Sequence, residues 1–239
     1  MSERNAILGR IREALRVAAT RPGSHPTPPM SSAAAPTPAS RDRAAGKSTD
    51  GFARWLPRVG AGFDELAAAF AAASKELRTD FHVLELEAGA DILLGALRDA
   101  QGWQRVASHR DPLTTRVAES LGLPVLWTEG GYDPLELERC DVGITACDLL
   151  VAQTGSVLVT SASAGGRALS VLPPHHVVLA RREQLVSDLP EAFRRLQEKY
   201  RQRYPSMISF ITGPSRTGDI ERILVLGAHG PKQLTVLVW

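Results

Sequence analysis

Apolar positions change period along this chain, and the changes predict its architecture. Ile7, Ile11 and Leu15 recur every four residues, with Leu8 beside them and Arg and Glu opposite. That spacing predicts an amphipathic helix over 3–18, an N-terminal helical arm within residues 1–19. Residues 20–50 lose the pattern: they hold six prolines, six alanines, five serines and four threonines, with Met30 the only large apolar residue. So little apolar surface cannot offset ordering entropy, which predicts a flexible Pro/Ala/Ser linker. From residue 51 the pattern is globular. Phe63, Leu66, Phe70 and Leu77 predict a helix, as do Ile92–Leu97, Leu113–Leu121 and Pro190–Arg203. Strands are predicted at Phe81–Leu86, Trp103–Ala107, Pro124–Trp127, Val142–Thr145, Ser156–Thr160, His176–Ala180, Met207–Ile211, Ile223–Leu226 and Leu234–Val238. Strands alternating with helices of this length predict one α/β domain over 51–239, its sheet mostly parallel with flanking helices.

Composition narrows the function classes. The 239 residues are 44% hydrophobic and 23% charged, enough apolar content for a sizeable core. Net charge is +2, with 24 Arg against 4 Lys. Residues 20–50 hold four basic and two acidic side chains, so the remainder is formally neutral, which argues against a nucleic-acid partner. Cys140 and Cys147 are the only cysteines. Two exclude a disulfide scaffold and a self-contained four-cysteine zinc or iron–sulfur site, and they fit a reducing compartment. No apolar run reaches the roughly 18 residues of a membrane span, and the N-terminus lacks the apolar core of a secretion signal. A cytoplasmic protein with no membrane insertion is expected.

The candidate chemistry lies in small-residue turns. G-x-G-x-x-G, H-E-x-x-H, G-x-S-x-G and C-x-x-C are all absent. Gly213-Pro-Ser-Arg-Thr-Gly218 has the glycine spacing of a phosphate loop, but Asp219 stands where its lysine belongs and would repel phosphates. The same turn offers hydroxyls at Ser215 and Thr217 and a planar donor fork at Arg216, suited to a carboxylate or phosphate. A self-capped turn with Asp219 pairing Arg216 or Arg222 fits the residues equally well. Gln153, Thr154, Gly155 and Ser156 interrupt two apolar stretches, as a ligand-contacting loop or a plain hairpin turn would. His229, between small residues, is a candidate acid or base, with Asp219 the other proton-transfer candidate. His175 and His176 suit a metal poorly, because adjacent strand residues point to opposite faces. Cys140 and Cys147 fit best as small buried hydrophobes.

Together the stretches Val142–Asp148, Ala152–Ser156, Leu169–His175, Gly213–Glu221 and Leu226–Pro231 resemble, in order and spacing over about 140–239, the lactate-utilization protein C family with its LUD domain. Residues 51–139 match only in outline, while Ile7–Arg12 also resembles the family's N-terminal helix. The resemblance implies a fold like that of ribose-5-phosphate isomerase, glucosamine-6-phosphate deaminase and the CoA transferases. It implies an accessory subunit of a cytoplasmic L-lactate oxidation system, converting lactate to pyruvate, with iron–sulfur clusters in partner subunits and none in this chain. A small anionic ligand would then sit at Gln153–Ser156 and at Gly213, Ser215, Arg216 and Thr217. The family often carries Glu before Thr-Gly, where this chain has Gln153, and an amide cannot act as the nucleophilic carboxylate of a CoA transferase. Two other readings stand beside this one: a stand-alone enzyme on small phosphorylated or acyl substrates, with His229 or Asp219 moving the proton, and a non-catalytic scaffold docking through residues 3–18.

Overall fold

Helix α1 (Phe63–Leu77) forms where apolar side chains recur at helical spacing. Glu65 accepts from the Gly62 amide at 3.3 Å to close the first turn, and Arg78, at φ 61°, ends the helix. A computed structural model describes residues 59–217, 225–227 and 229–239. The helix expected at 3–18 and the linker expected at 20–50 lie outside the described residues. From α1 the chain runs through β1 (Asp80–Val83), α2 (Ala88–Gln101), β2 (Val106–Ser108), α3 (Pro112–Ser120), β3 (Val125–Trp127), α4 (Pro134–Glu138) and β4 (Val142–Ala146). It continues with β5 (Leu149–Val151), β6 (Ser156–Thr160), β7 (His175–Ala180), a 3₁₀ turn (Arg182–Gln184), β8 (Leu185–Val186), α5 (Leu189–Tyr200) and β9 (Ile208–Ile211). Strands β10 (Arg216–Thr217), β11 (Val225–Leu226) and β12 (Gln233–Val238) complete it.

The strands build a six-stranded sheet in the order β1-β12-β7-β4-β2-β3, every neighbouring pair parallel. A four-stranded sheet, β8-β5-β6-β9, is mixed: β5 lies parallel to β8 and antiparallel to β6, and β6 antiparallel to β9. β10 and β11 form a short antiparallel ladder. The large sheet is buried on both faces, so its central strands are near-continuous apolar runs. Val177, Leu179 and Leu237 point to α2 and α3, joining Leu94, Val117 and Ile144. Val178, Val236 and Val238 point the other way, to α1 and one face of the small sheet, joining Phe70, Leu150 and Val157. Helix α5 covers the opposite face of the small sheet through Ala192 and Leu196.

Two expected strands differ most at one end, each for a visible reason, and of the strand expected at Ile223–Leu226 only Val225–Leu226 lies in the described residues. β2 starts at Val106 and not Trp103, because the Gln104 and Arg105 amides donate to the Asp141 carboxylate at 2.7 and 2.9 Å and leave the ladder. β1 stops at Val83, where the Leu84 amide makes a last bond to Val238 O at 2.7 Å and the chain turns into α2. Among the described residues no helix is long and apolar enough to cross a membrane.

Candidate functional site

The turns singled out in the sequence meet at the amino-terminal end of the parallel sheet. Ala152–Gly155 is the loop of the β5–β6 hairpin, in which Val151 pairs with Ser156. Gly155, at φ 63°, packs against the end of α1: a Cβ there would lie 2.9 Å from both Ala73 Cβ and Leu77 Cδ1. Three hydroxyls form a chain across the turn, Thr154 Oγ1 to Ser156 Oγ at 2.8 Å and Ser156 Oγ to Thr212 Oγ1 at 2.8 Å. Gly213, at φ 87°, abuts the same helix end, and an Arg216 guanidinium nitrogen lies 3.3 Å from where its Cβ would stand. Arg216 is exposed and its backbone pairs with Leu226. The Ser215 amide donates to Pro231 O at 2.9 Å and the Gly227 amide to Ser215 O at 3.0 Å, which joins this turn to the loop carrying the exposed His229. The Gln153 amide donates to Ser187 O at 3.0 Å. The structure therefore gathers Thr154, Gly155, Ser156, Gly213 and Arg216 at one helix end, and the Ser156 hydroxyl is buried within a chain of its own hydroxyl partners. Asp219 lies outside the described residues, as does the Thr217 side chain.

A second concentration of polar groups sits at the other end of the sheet. β2 leads outward to β3 at one edge, whereas β4 leads through β7 and β12 toward the opposite edge. The sheet thus switches direction between β2 and β4, which leaves a crevice at their carboxyl ends. A cleft of about 480 Å³ opens there, and its walls include Asp111 and Leu113 after β2, Cys147 after β4, Arg181 after β7, and Lys199 and Tyr200 at the end of α5. Asp148 lies beneath it with a side chain only 2% exposed. Its Oδ1 accepts from Lys199 Nζ at 2.6 Å and from Tyr200 Oη at 2.7 Å, and Tyr200 Oη also meets Thr160 Oγ1 at 3.1 Å. Burial pushes the Asp148 carboxyl up, but the donors and the Lys199 charge outweigh it and hold the group below the usual carboxylate range. Burial likewise works against the Lys199 ammonium, and Asp148 outweighs it, so the lysine titrates above its ordinary value. Lys199 is therefore a fixed cation and not a neutral amine nucleophile.

The loop after β6 shapes the same end of the molecule. Gly165, at φ 60°, lets that loop lie on His109 and Thr128, where any Cβ would collide with the imidazole. His109 Nε2 accepts from the Ala146 amide at 3.2 Å, so the ring locks β2 to β4, and burial drives its pKa down. Gln184 ties the wall together, donating to Cys147 O at 2.6 Å and to Asp148 O at 3.2 Å. Lys199, Tyr200, Arg181 and Gln184 do not stand out as candidates in the sequence, and Asp148 enters only as the first residue of the stretch that leads to Gln153–Ser156. The one available signal is an acid, Asp148, inside the apolar run Ile144–Val151.

The histidine pair is structural. His175 Nε2 meets Thr235 Oγ1 at 2.9 Å and its Nδ1 meets Gln101 Oε1 at 3.2 Å, while His176 Nε2 meets Thr145 Oγ1 at 2.8 Å. Among the described residues no group of three or more His, Cys, Asp or Glu could hold a metal ion. Both cysteines are buried thiols, and burial pushes the Cys147 thiol far up.

An α/β protein with this sheet arrangement and these turns has relatives. Residues 135–239 match the sequence profile of the LUD domain. Among named proteins, lactate utilization protein C of Deinococcus radiodurans is 33% identical over 133 residues, covering 52% of this chain and 62% of that protein. Its namesake in Halalkalibacterium halodurans is 37% identical over 113 residues, covering 46% of this chain and 49% of that protein. The uncharacterized protein YkgG of Escherichia coli K12 is 32% identical over 118 residues, covering 48% of this chain and 51% of that protein. The chain thus spans about half the length of the curated relatives it matches. The crystal structure of a duf162 family protein from Deinococcus radiodurans matches with TM-score 0.55 and 22% identity, over 75% of this chain and 99% of that one, which establishes the shared fold.

Proposed function

We propose that this protein is an accessory component of a cytoplasmic lactate-oxidation system, that it binds a small carboxylate or phosphate, and that it docks with partner subunits holding the iron–sulfur clusters. The observation that carries the reading is the match of residues 135–239 to the LUD domain profile, together with the similarity to relatives named lactate utilization protein C. The two cysteines support placing the redox centres elsewhere, since both are buried thiols and a cluster takes about four such ligands. On this reading the turns at Gln153–Ser156 and Gly213–Thr217 contact the small anion, with Arg216 the exposed guanidinium beside them. The test is affinity capture of the tagged full chain from cells grown on lactate and on a control carbon source. Lactate-dependent recovery of an iron–sulfur protein supports the role. Recovery of none, together with unimpaired growth on lactate after deletion of the gene, overturns it.

A further inference from the structure

We propose that the crevice between the carboxyl ends of β2 and β4 is a binding site for a small organic carboxylate, gripped by Arg181 and Lys199. The site is separate from the turns around Arg216, which lie at the amino end of the same sheet. Its position is the first argument, because in open α/β sheets ligands collect where the strand order reverses. Its size is the second: about 480 Å³ lies within the range of small-molecule clefts.

The charge pattern is the third. Formally the cleft and the acid beneath it hold two acids and two bases, and their engagements differ. Asp111 caps α3 by accepting from the Leu113 amide at 2.9 Å, and Asp148 is buried under Lys199 and Tyr200. Arg181 is exposed at the rim and forms no ion pair among the described residues. Lys199 donates to Asp148, and its side chain stays 57% exposed, which leaves two further N–H donors on the ammonium. What the cleft presents to a ligand is therefore two cationic donors, the Arg181 fork and the held Lys199 ammonium, with the Asp111 carboxylate confined to the wall after β2 and turned to cap α3. Asp148 acts through Lys199 as a positioning residue, fixing a side chain that would otherwise sample many rotamers.

The walls select the kind of anion. Leu113, Ala146, Cys147 and Ala162 give an apolar footing beside the cations. A carbon skeleton gains from that contact and an inorganic oxyanion does not, so the occupant is an organic acid. Because Lys199 is kept protonated, the ligand is held by ionic hydrogen bonds and not as a covalent imine.

Calorimetric titration of the full chain with pyruvate, in parallel with inorganic phosphate, tests the proposal. Pyruvate should bind the wild type. Arg181→Ala should weaken it about tenfold or more with an unchanged melting temperature, because a charge-assisted contact is lost from an exposed side chain. Lys199→Gln should weaken it similarly, and Lys199→Arg should restore most of the affinity by keeping a cation beside Asp148. Asp148→Asn should weaken binding too, with no further loss when combined with Lys199→Gln, a non-additivity that general loosening of the fold would not give. Arg216→Ala should leave this affinity intact. Where Lys199→Gln fails to fold, Arg181→Ala decides. Absence of pyruvate binding, phosphate binding in place of pyruvate, wild-type affinity in Arg181→Ala, or loss of affinity in Arg216→Ala alone would each overturn the assignment. The titration uses the isolated protein, so its outcome is independent of whether a redox partner is captured.

Discussion

Arg216 is the residue at which a binding role and a packing role give opposite outcomes. Its guanidinium is exposed, yet it lies beside Gly213 at the end of α1, where free helix carbonyls attract cations. If the turn binds an anion, Arg216→Ala removes a bidentate contact of roughly 1.5–3 kcal/mol, Arg216→Lys recovers only part of it, and the melting temperature stays put. Stability loss with unchanged anion affinity, measured by thermal melting and titration on both variants, would show that the arginine caps the helix. Gly155 gives a second test at this scale. Gly155→Ala should destabilise by about 1–3 kcal/mol in denaturant unfolding, because its φ of 63° is left-handed and its Cβ would press on Ala73 and Leu77. Gly131→Ala is the control, since Gly131 has φ 80° but open space around it, so only the backbone term of about 1 kcal/mol remains. The sequence marks both turns through their glycines and hydroxyls. It does not mark Asp148, whose function depends on Lys199 and Tyr200, 51 and 52 residues further on. Pairing at that separation is created by the fold and leaves no local spacing to read.

At the scale of elements, legibility follows length and periodicity. Helices α1, α2, α3 and α5 and the apolar strands β4, β6, β7 and β12 each carry several apolar positions in register, and each forms where its pattern predicts. α4 escapes because Pro134–Glu138 is a little over one turn, and β8 because two residues carry no period. β5 hides in the run after Asp148, where an unbroken apolar stretch does not separate two strands joined by a corner. Helix α5 is also set by its ends: Asp188 accepts from the Glu191 amide at 2.9 Å, and Pro190 occupies the first turn. Glu191 in turn pairs with Arg194 and Arg195, which draw its carboxyl down to about 2. Asp188→Ala should cost about 0.5–2 kcal/mol in chemical unfolding, while Asp188→Ser or Asp188→Asn should keep most of the cap. Because α5 carries Lys199 and Tyr200 at its far end, ten or more residues away, the folded Asp188→Ala protein should still hold the Asp148 contacts.

For the whole molecule, the sequence predicts a parallel sheet but not its order. β12 inserts between β1 and β7, and β4 lies between β7 and β2, so the crevice forms from strands and a helix end far apart in the chain. The same central strands set the protein's response to acid. His175 and His176 begin β7 and are 2% and 1% exposed. Gln101 Oε1 accepts from Trp103 Nε1 at 3.2 Å, which identifies it as the oxygen, so His175 donates to it through Nδ1, and in the neutral ring Nε2 accepts from Thr235. Burial keeps the imidazole neutral by lowering its pKa to about 4; burial, with His175 adding to it, lowers that of His176 to about 3. Unfolded, both rings titrate near 6.5, so between there and the folded values the unfolded chain binds more protons. Stability from this pair is complete above about pH 6.5 and falls continuously as pH drops toward 4, with each ring losing on the order of 1–2 kcal/mol by about pH 5. Asp148 and Glu191, whose carboxyls are drawn down, add their loss only below the ordinary carboxylate range. Melting temperature should therefore decline already between pH 7 and pH 5, before those carboxylates titrate. Replacing His175 with Gln, which keeps a donor and an acceptor but no titrating ring, should flatten that limb, with His176 and His109, whose pKa values burial also lowers, carrying the rest. A melting temperature level from pH 7 to pH 5 in the wild type, or an equally steep limb in His175→Gln, would show that the buried pair does not govern acid stability.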